Sequence, residues 1–325
     1  MVRSFVFKDG RLVSRDLQED VLRLMLYEDN VQIWVDMEDP TPAENQLFLE
    51  SIFAFHPLAV EDCVNISELP KVDDYDSYIF LVIHAVNFQS HEFRTTELNL
   101  FVGRNFLVTH HREPLRSVHQ TLERIQKNDT AVARASDRLA YTILDLLFDN
   151  YDPALADLNG DIARLENAVL ENHISRDVLG RVLALKGEVQ RLRQIIFPQR
   201  DVFARIARRE FKVVRAHLLP YYRDLLDRVN RIIDHADNYR DALTNTLQVH
   251  LNIQQTQVNH VIKVLTVLAT LSMPMLIITS FYGMNIRHFP NADWPEWPQA
   301  YAIMFGLFGF FTWIVYWLLK RKKWM

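Results

Sequence analysis

An uncharged run of amides and hydroxyls, NTLQVHLNIQQTQVNH from Asn245 to His260, can hold the water shell of a cation without trapping it by net charge. The same composition also suits an ordinary hydrated helix face. Glu61 and Asp62, beside Cys63, form an acidic pair of the kind that commonly decorates a helix surface. His110, His111, Glu113 and His119 offer metal-type ligands. Adjacent histidines on a strand point to opposite faces, so a structural role is the expectation for them. A last polar stretch, SFYGMNIRHFPNADWPEWP from Ser280 to Pro298, separates two long apolar runs. What that loop does depends on what flanks it.

The first flank is VIKVLTVLATLSMPMLIITSF, Val261–Phe281, interrupted only by Lys263; the second is AYAIMFGLFGFFTWIVYWLL, Ala300–Leu319, without a charge. Crossing the ~30 Å hydrocarbon core takes about 20 apolar residues in a helix, and both runs reach that length. Lys320, Arg321, Lys322 and Lys323 follow the second run directly. Basic residues gather on the cytoplasmic side, so the C-terminus is expected inside. Two spans then put the N-terminal region inside as well and the loop outside. Trp294, Trp297 and Tyr301 fit the interfacial aromatic belt. Lys263 and the basic tail suffice as topology determinants, although they could also ring the base of a pore.

The chain has 325 residues and a formal net charge of -5. Mild acidity argues against nucleic acid as a partner, since phosphate binding needs an excess of Lys and Arg. It suits a cation. The single cysteine, Cys63, can form no internal disulfide and shows no zinc-site spacing, which points to reducing cytosol for the bulk of the chain. The opening MVRSFVFKDG lacks the apolar core of a signal peptide. No glycine-rich phosphate loop, nucleophile elbow or zinc-protease helix is found, so neither catalytic residues nor an organic cofactor are expected.

The positioning elements follow from pattern. RSFVFKDGRLVS alternates around Asp9-Gly10, a hairpin signal. VQIWVDM, Val31–Met37, reads as a strand, and Thr41 with Pro42 can cap and open a helix. YIFLVIHAVNF and LNLFVGRNFLVTHH supply more strands, the latter turning at Gly103. After about Pro114 the spacing becomes helical, and RDVLGRVLALKGEVQRLRQIIF is expected to end at Pro198. From Tyr221 to Met273 there is neither Gly nor Pro, and apolar residues recur about every 3.5 positions: Val229, Ile232, Ala236, Leu243, Leu247, Leu251, Val258, Ile262. So long a helix needs partners along its length, most economically other copies of the chain.

Continued in steps of three and four, that stripe gives Asn259, Ile262, Thr266, Ala269, Met273, Leu276 and Ser280, with Leu265 beside it. Small and hydroxyl residues in a span face protein or a cavity, so the stripe fits close packing or a pore lining equally. Ile262, Leu265, Met273 and Leu276 supply apolar bulk of the kind that gates by excluding water. Pro274 removes a backbone bond to Thr270 and should bend the span. The second span, rich in Phe, Trp and Ile, suits an outer, lipid-facing helix.

At Tyr282-Gly283-Met284-Asn285 the chain resembles the CorA family of magnesium and cobalt transporters, whose signature is Gly-Met-Asn at the outer end of the first of two C-terminal spans. NHVIKVLTVLATLSMP, KRKKW, HPLAVEDCVN, PKVDDYDSYIFLV and YYRDLLDRVNRIIDHAD are also similar to family segments. The resemblance implies an α+β protein: an N-terminal α/β cytosolic domain, a long stalk helix continuing into a pore-lining span, an outer span, and a homopentameric channel in the cell inner membrane. It implies a selectivity filter at Tyr282, Gly283, Met284 and Asn285, where Gly283 permits a sharp turn and Asn285 aims a carboxamide at a hydrated ion. It implies transported and regulatory Mg²⁺, with Glu61, Asp62, Asp145 and Asp224 holding regulatory ions between neighbouring subunits. The family's Met-Pro-Glu segment has no residue-for-residue counterpart: HFPNAD stands there, with Asp293 and Glu296 the nearby carboxylates.

The expected division is thus 1–113 for the cytosolic α/β domain, 114–260 for the helical region and stalk, and 261–281 for the first span. The loop covers 282–299, the second span 300–319, and the basic tail 320–325. The rival readings are a zinc-transporting member of the same family and a membrane-anchored metal sensor or scaffold that transports nothing.

Overall fold

At Asp9 and Gly10 the backbone takes φ of 53° and 78°, the left-handed pair that a tight hairpin turn requires and that Asp-Gly tolerates best. The turn joins strands β1 (Val2–Lys8) and β2 (Arg11–Arg15). This computed structural model describes residues 1–28, 30–66, 69–87, 94–127, 132–171, 177–283 and 299–321. The remaining strands are β3 (Val31–Glu38), β4 (Lys71–Asp74), β5 (Tyr78–Asn87), β6 (Arg94–Gly103) and β7 (Phe106–His111). They form one seven-stranded sheet in the order β2-β1-β3-β7-β6-β5-β4. All pairings are antiparallel except β3 with β7.

Nine α-helices are described: α1 (Glu19–Met25), α2 (Pro42–Asn45), α3 (Pro57–Val64), α4 (Arg116–Gln126), α5 (Ser136–Asp149), α6 (Tyr151–Leu170), α7 (Asp177–Ala207), α8 (Leu219–Tyr282) and α9 (Gln299–Arg321). Helix α2 opens as its sequence indicates. The Thr41 hydroxyl accepts from the Glu44 amide while the Glu44 carboxylate accepts from the Thr41 amide, with Pro42 in the first turn. It continues into a π-helical stretch, Gln46–Ile52, that buries Leu49 and Ile52. Leu22 of α1, Leu49, and Ala59, Val60 and Cys63 of α3 cover one face of the sheet at Val35, Met37, Phe101 and Val108. Helix α5 packs on β3, β5, β6 and β7. The Tyr151 hydroxyl, at the start of α6, donates to the carbonyl of His84 at 2.7 Å.

Helix α7 does not stop at Pro198. It runs through to Ala207 with the proline inside. A proline there forfeits a backbone bond and clashes with the preceding turn, a cost of about 3 kcal/mol. Packing on both sides outweighs it: Ile196, Gln199, Val202, Phe203 and Ile206 are all buried. Each such apolar side chain contributes about 1.5–3 kcal/mol. The Gln199 amide also donates to the Tyr151 hydroxyl at 3.2 Å.

The chain divides into two compact units, residues 1–247 and 248–325. Helix α8 contributes to both and has 64 residues, roughly 96 Å at 1.5 Å per residue. In the first unit its stripe is buried at Leu225, Val229, Ile232, Ala236 and Leu243. In the second the same stripe is bare: Leu251, Val258 and Ile262 are more than half exposed in the single chain.

Candidate functional site

The segment of α8 from 261 to 280 is apolar enough and long enough to cross a bilayer. Helix α9 has 23 residues, and its sequence is uncharged from Gln299 to Leu319. Along α8, Asn259, Ile262, Leu265, Thr266, Ala269, Met273, Leu276 and Ser280 are all exposed, whereas Val267 is buried. The hydroxyls are satisfied within the helix: Thr266 donates to Ile262 O, Thr270 to Thr266 O and Thr279 to Met275 O. That local bonding is what makes hydroxyls tolerable in hydrocarbon. The helix continues through Pro274.

At its C-terminal end, α8 closes at Tyr282, and the Gly283 amide still donates to Thr279 O at 2.9 Å. Gly283 does not take a left-handed φ. A Cβ placed on it would lie 3.2 Å from the Thr279 carbonyl oxygen, so its lack of a side chain eases the last helical turn. The side chain of Tyr282, and Met284 and Asn285 entirely, lie outside the described residues, as do Asp293 and Glu296.

The four acidic candidates divide between two places within one chain. Glu61 and Asp62 project from α3, whose other side is buried through Ala59, Val60 and Cys63. Asp62 accepts from the Lys71 ammonium, which also pairs with Asp73 at 3.1 Å. Burial opposes the charged Lys71, but its bonds to the two carboxylates prevail and raise its pKa. Asp145 on α5 faces Arg228 on α8 at 3.5 Å, and Arg228 also binds Asp149. Asp224 is exposed one turn before Arg228. Burial, then the charges of Asp145 and Asp224, push the Tyr141 hydroxyl up to about 12. Burial likewise raises the pKa of Asp145. Among the described residues, no hydrogen bond or ion pair within the chain joins Glu61 or Asp62 to Asp145 or Asp224.

The histidines settle into other work. His111 Nε2 lies 3.1 Å from Asp36 Oδ1, both fully buried. The Thr109 hydroxyl donates to the same carboxylate at 2.7 Å and accepts from the Trp34 indole at 3.0 Å. Arg3 bridges Asp36 and Glu38. Burial opposes ionisation of both partners, yet their mutual bond and charge prevail: the His111 pKa is raised and that of Asp36 lowered. The His111 contribution to stability is therefore complete below 6.5 and disappears as pH rises through the raised value. That of Asp36 is complete above 3.8 and disappears as pH falls through the lowered one. His111→Gln should lower stability by about 2 kcal/mol at mildly acidic pH. It should also flatten the alkaline side of a thermal-unfolding profile; an unchanged profile would show that the pair is not holding the sheet together. Sequence reasoning expected a structural role for these histidines, but not the partners, which lie some 75 residues apart in the chain.

An α+β unit whose longest helix continues as an apolar segment of membrane length is the architecture of a membrane-anchored protein. Residues 29–321 match the family model described as CorA-like Mg2+ transporter protein. The chain is 31% identical over 277 residues to the cobalt/magnesium transport protein CorA of Thermotoga maritima, covering 84% of this chain and 78% of that one. It is 22% identical over 310 residues to the zinc transport protein ZntB of Pectobacterium atrosepticum, covering 90% and 88%. The complete structure of the CorA magnesium transporter from Methanocaldococcus jannaschii superposes with a TM-score of 0.80 at 22% identity, over 99% of this chain and 98% of that one. The protein belongs to the CorA-like transporter family, membrane proteins that carry divalent cations.

Proposed function

We propose that this chain forms a homopentameric channel for Mg²⁺ and Co²⁺ uptake, with both termini cytoplasmic, whose opening is controlled by cytosolic Mg²⁺. The observation that carries this reading is the unbroken course of α8. One helix holds Asp224 in the soluble unit, an uncovered stripe from Leu251 to Ser280, and the turn that leads into Met284 and Asn285. The uncovered stripe supports self-association, since a helix this long needs partners along its length. The spans lie at 261–281 and 300–319, and the 282–299 loop forms the outer mouth. Asn285 supplies neutral oxygens that hold hydrated Mg²⁺ through its waters, because this ion gives up its shell reluctantly.

Flux through the purified protein in vesicles, with Mg²⁺, Co²⁺, Ni²⁺ and Zn²⁺ supplied in turn, tests this. Mg²⁺ should be carried, with Co²⁺ competing. Preference for Zn²⁺ would move the chain to the zinc-transporting branch; no flux with any metal would leave a sensor or scaffold.

The gate is assigned to the apolar bulk of Ile262, Leu265, Met273 and Leu276. A narrow apolar ring excludes water and so stops a hydrated ion without any charge. Met273→Thr or Ile262→Thr should therefore raise Mg²⁺ leak under high internal Mg²⁺, conditions in which the parent is closed. Variants as tightly closed as the parent would place the gate elsewhere.

A further inference from the structure

Within the first unit, strands β5, β6 and β7 and helices α3 and α7 enclose a cavity of about 610 Å³. That is the size of a site for a small organic molecule, commonly ~300–1,000 Å³. Its inner wall carries Asn99 and His110, register partners on β6 and β7 that are 3% and 2% exposed. Among the described residues, neither ring nitrogen of His110 nor Asn99 Oδ1 has a hydrogen-bond partner. The Asn99 amide nitrogen donates to Cys63 O at 3.4 Å, which leaves Oδ1 as an acceptor. Burial, then the charge of His111, lowers the His110 pKa to about 4, so its ring is neutral and offers one donor and one acceptor. Native proteins rarely leave such buried groups unmatched.

A metal ion does not fit this wall. Among the described residues, three ligand atoms converge only at Asp36, Glu38 and His111, where Arg3 already bridges the carboxylates. The mouth of the cavity offers a different chemistry. Arg191 of α7 is exposed and has no ion pair among the described residues. Arg112 donates to Val64 O at 2.5 Å and retains further N–H groups. Guanidinium groups are suited to phosphate. Ile195 and Cys63 give the cavity apolar side walls.

The geometry points to an adenine nucleotide as the ligand of this cavity. The adenine edge pairs an exocyclic amine donor with a ring-nitrogen acceptor. Asn99 Oδ1 accepts from the amine, and the His110 N–H donates to the ring nitrogen. Guanine turns a carbonyl acceptor toward the same wall and is disfavoured by Asn99 Oδ1. Glu97 and Glu113 also line the cavity, and Glu113 accepts from the Thr96 hydroxyl at 2.7 Å. These carboxylates keep a bare phosphate out of the interior and leave the arginine mouth as the place for the anionic end. Every residue lining the cavity belongs to the first unit, and binding there can be measured without any flux assay.

The test is calorimetric titration of the full-length protein in detergent with ADP, at a buffered free Mg²⁺ concentration that removes chelation as a cause. Saturable binding is expected, with guanosine diphosphate and tripolyphosphate weaker by about tenfold or more. Arg191→Ala should weaken ADP by about tenfold and leave adenosine unchanged. His110→Phe should weaken ADP and adenosine alike. Should that buried variant fail to fold, the exposed Arg191→Ala change still decides the matter. No saturable heat with ADP, equal binding of tripolyphosphate, or unchanged ADP affinity in Arg191→Ala would each overturn the assignment.

Discussion

Replacing Asn285 with alanine should all but abolish Mg²⁺ flux while leaving the oligomer assembled. Helix α8 delivers the chain to this point: its last described bond is from the Gly283 amide to Thr279 O, two residues before Asn285. In the proposed pentamer one carboxamide per subunit then surrounds the axis. A neutral oxygen can bind the water of a hydrated ion and release it again, which conduction demands. Each hydrogen bond of this kind contributes about 0.5–1.5 kcal/mol net, so losing a ring of them removes several kcal/mol of ion binding. At 1.4 kcal/mol per factor of ten, the expected fall in flux is about a hundredfold or more. Asn285→Asp is the informative companion. A ring of carboxylates should bind the ion more tightly and pass it more slowly, so high Mg²⁺ should block it. Size-exclusion behaviour like that of the parent distinguishes a lost filter from lost assembly. Full flux in the alanine variant would sink the proposal.

The parts legible in the sequence are those in which local chemistry and the fold agree. Asp9-Gly10 requires left-handed backbone and receives it. Thr41, Pro42 and Glu44 open a helix with reciprocal caps. The stretch from Tyr221 to Met273 has nothing to interrupt a helix, and none is interrupted there. Pro198 shows the converse. Its local preference is to end α7, and burial of the residues on both sides overrides it. Such an outcome depends on contacts from other elements, which spacing along one helix does not reveal. The wall formed by Asn99 and His110 is illegible for the same reason: β6 and β7 bring them into register, and no motif links them in the chain. For the acidic candidates, the meeting of Asp145 with Arg228 is a product of α5 side chains reaching α8. Lys71 seated on Asp62 could be found only once β4 was placed next to α3.

Asp224→Asn should weaken inhibition of flux by internal Mg²⁺, and the same change should reduce Mg²⁺ protection of the α8 stalk against protease. Of the four acids proposed to sense the ion, two already have a cation within their own chain. Lys71 occupies Asp62, and Arg228 faces Asp145. A divalent ion at either must compete with an ammonium or guanidinium, which holds its affinity down. Asp224, like Glu61, is exposed and has no ion pair among the described residues, so no cation of its own chain neutralises it. When carboxylates meet across a subunit boundary, a divalent ion relieves their repulsion and favours close packing; without it they favour separation. The shift can reach Ile262 because both residues sit on α8, which has no Gly or Pro between them. If Asp224 contributes about 1.4 kcal/mol of the difference in ion affinity between the two arrangements, half-inhibition should need about tenfold more Mg²⁺ in the variant. Repeated at equivalent interfaces acting on one pore, even that modest term moves the population strongly. The alternative is a solvated carboxylate with no part in gating. Under that reading both the inhibition curve and the proteolysis pattern of Asp224→Asn coincide with those of the parent, and Asp224 is not a sensing residue.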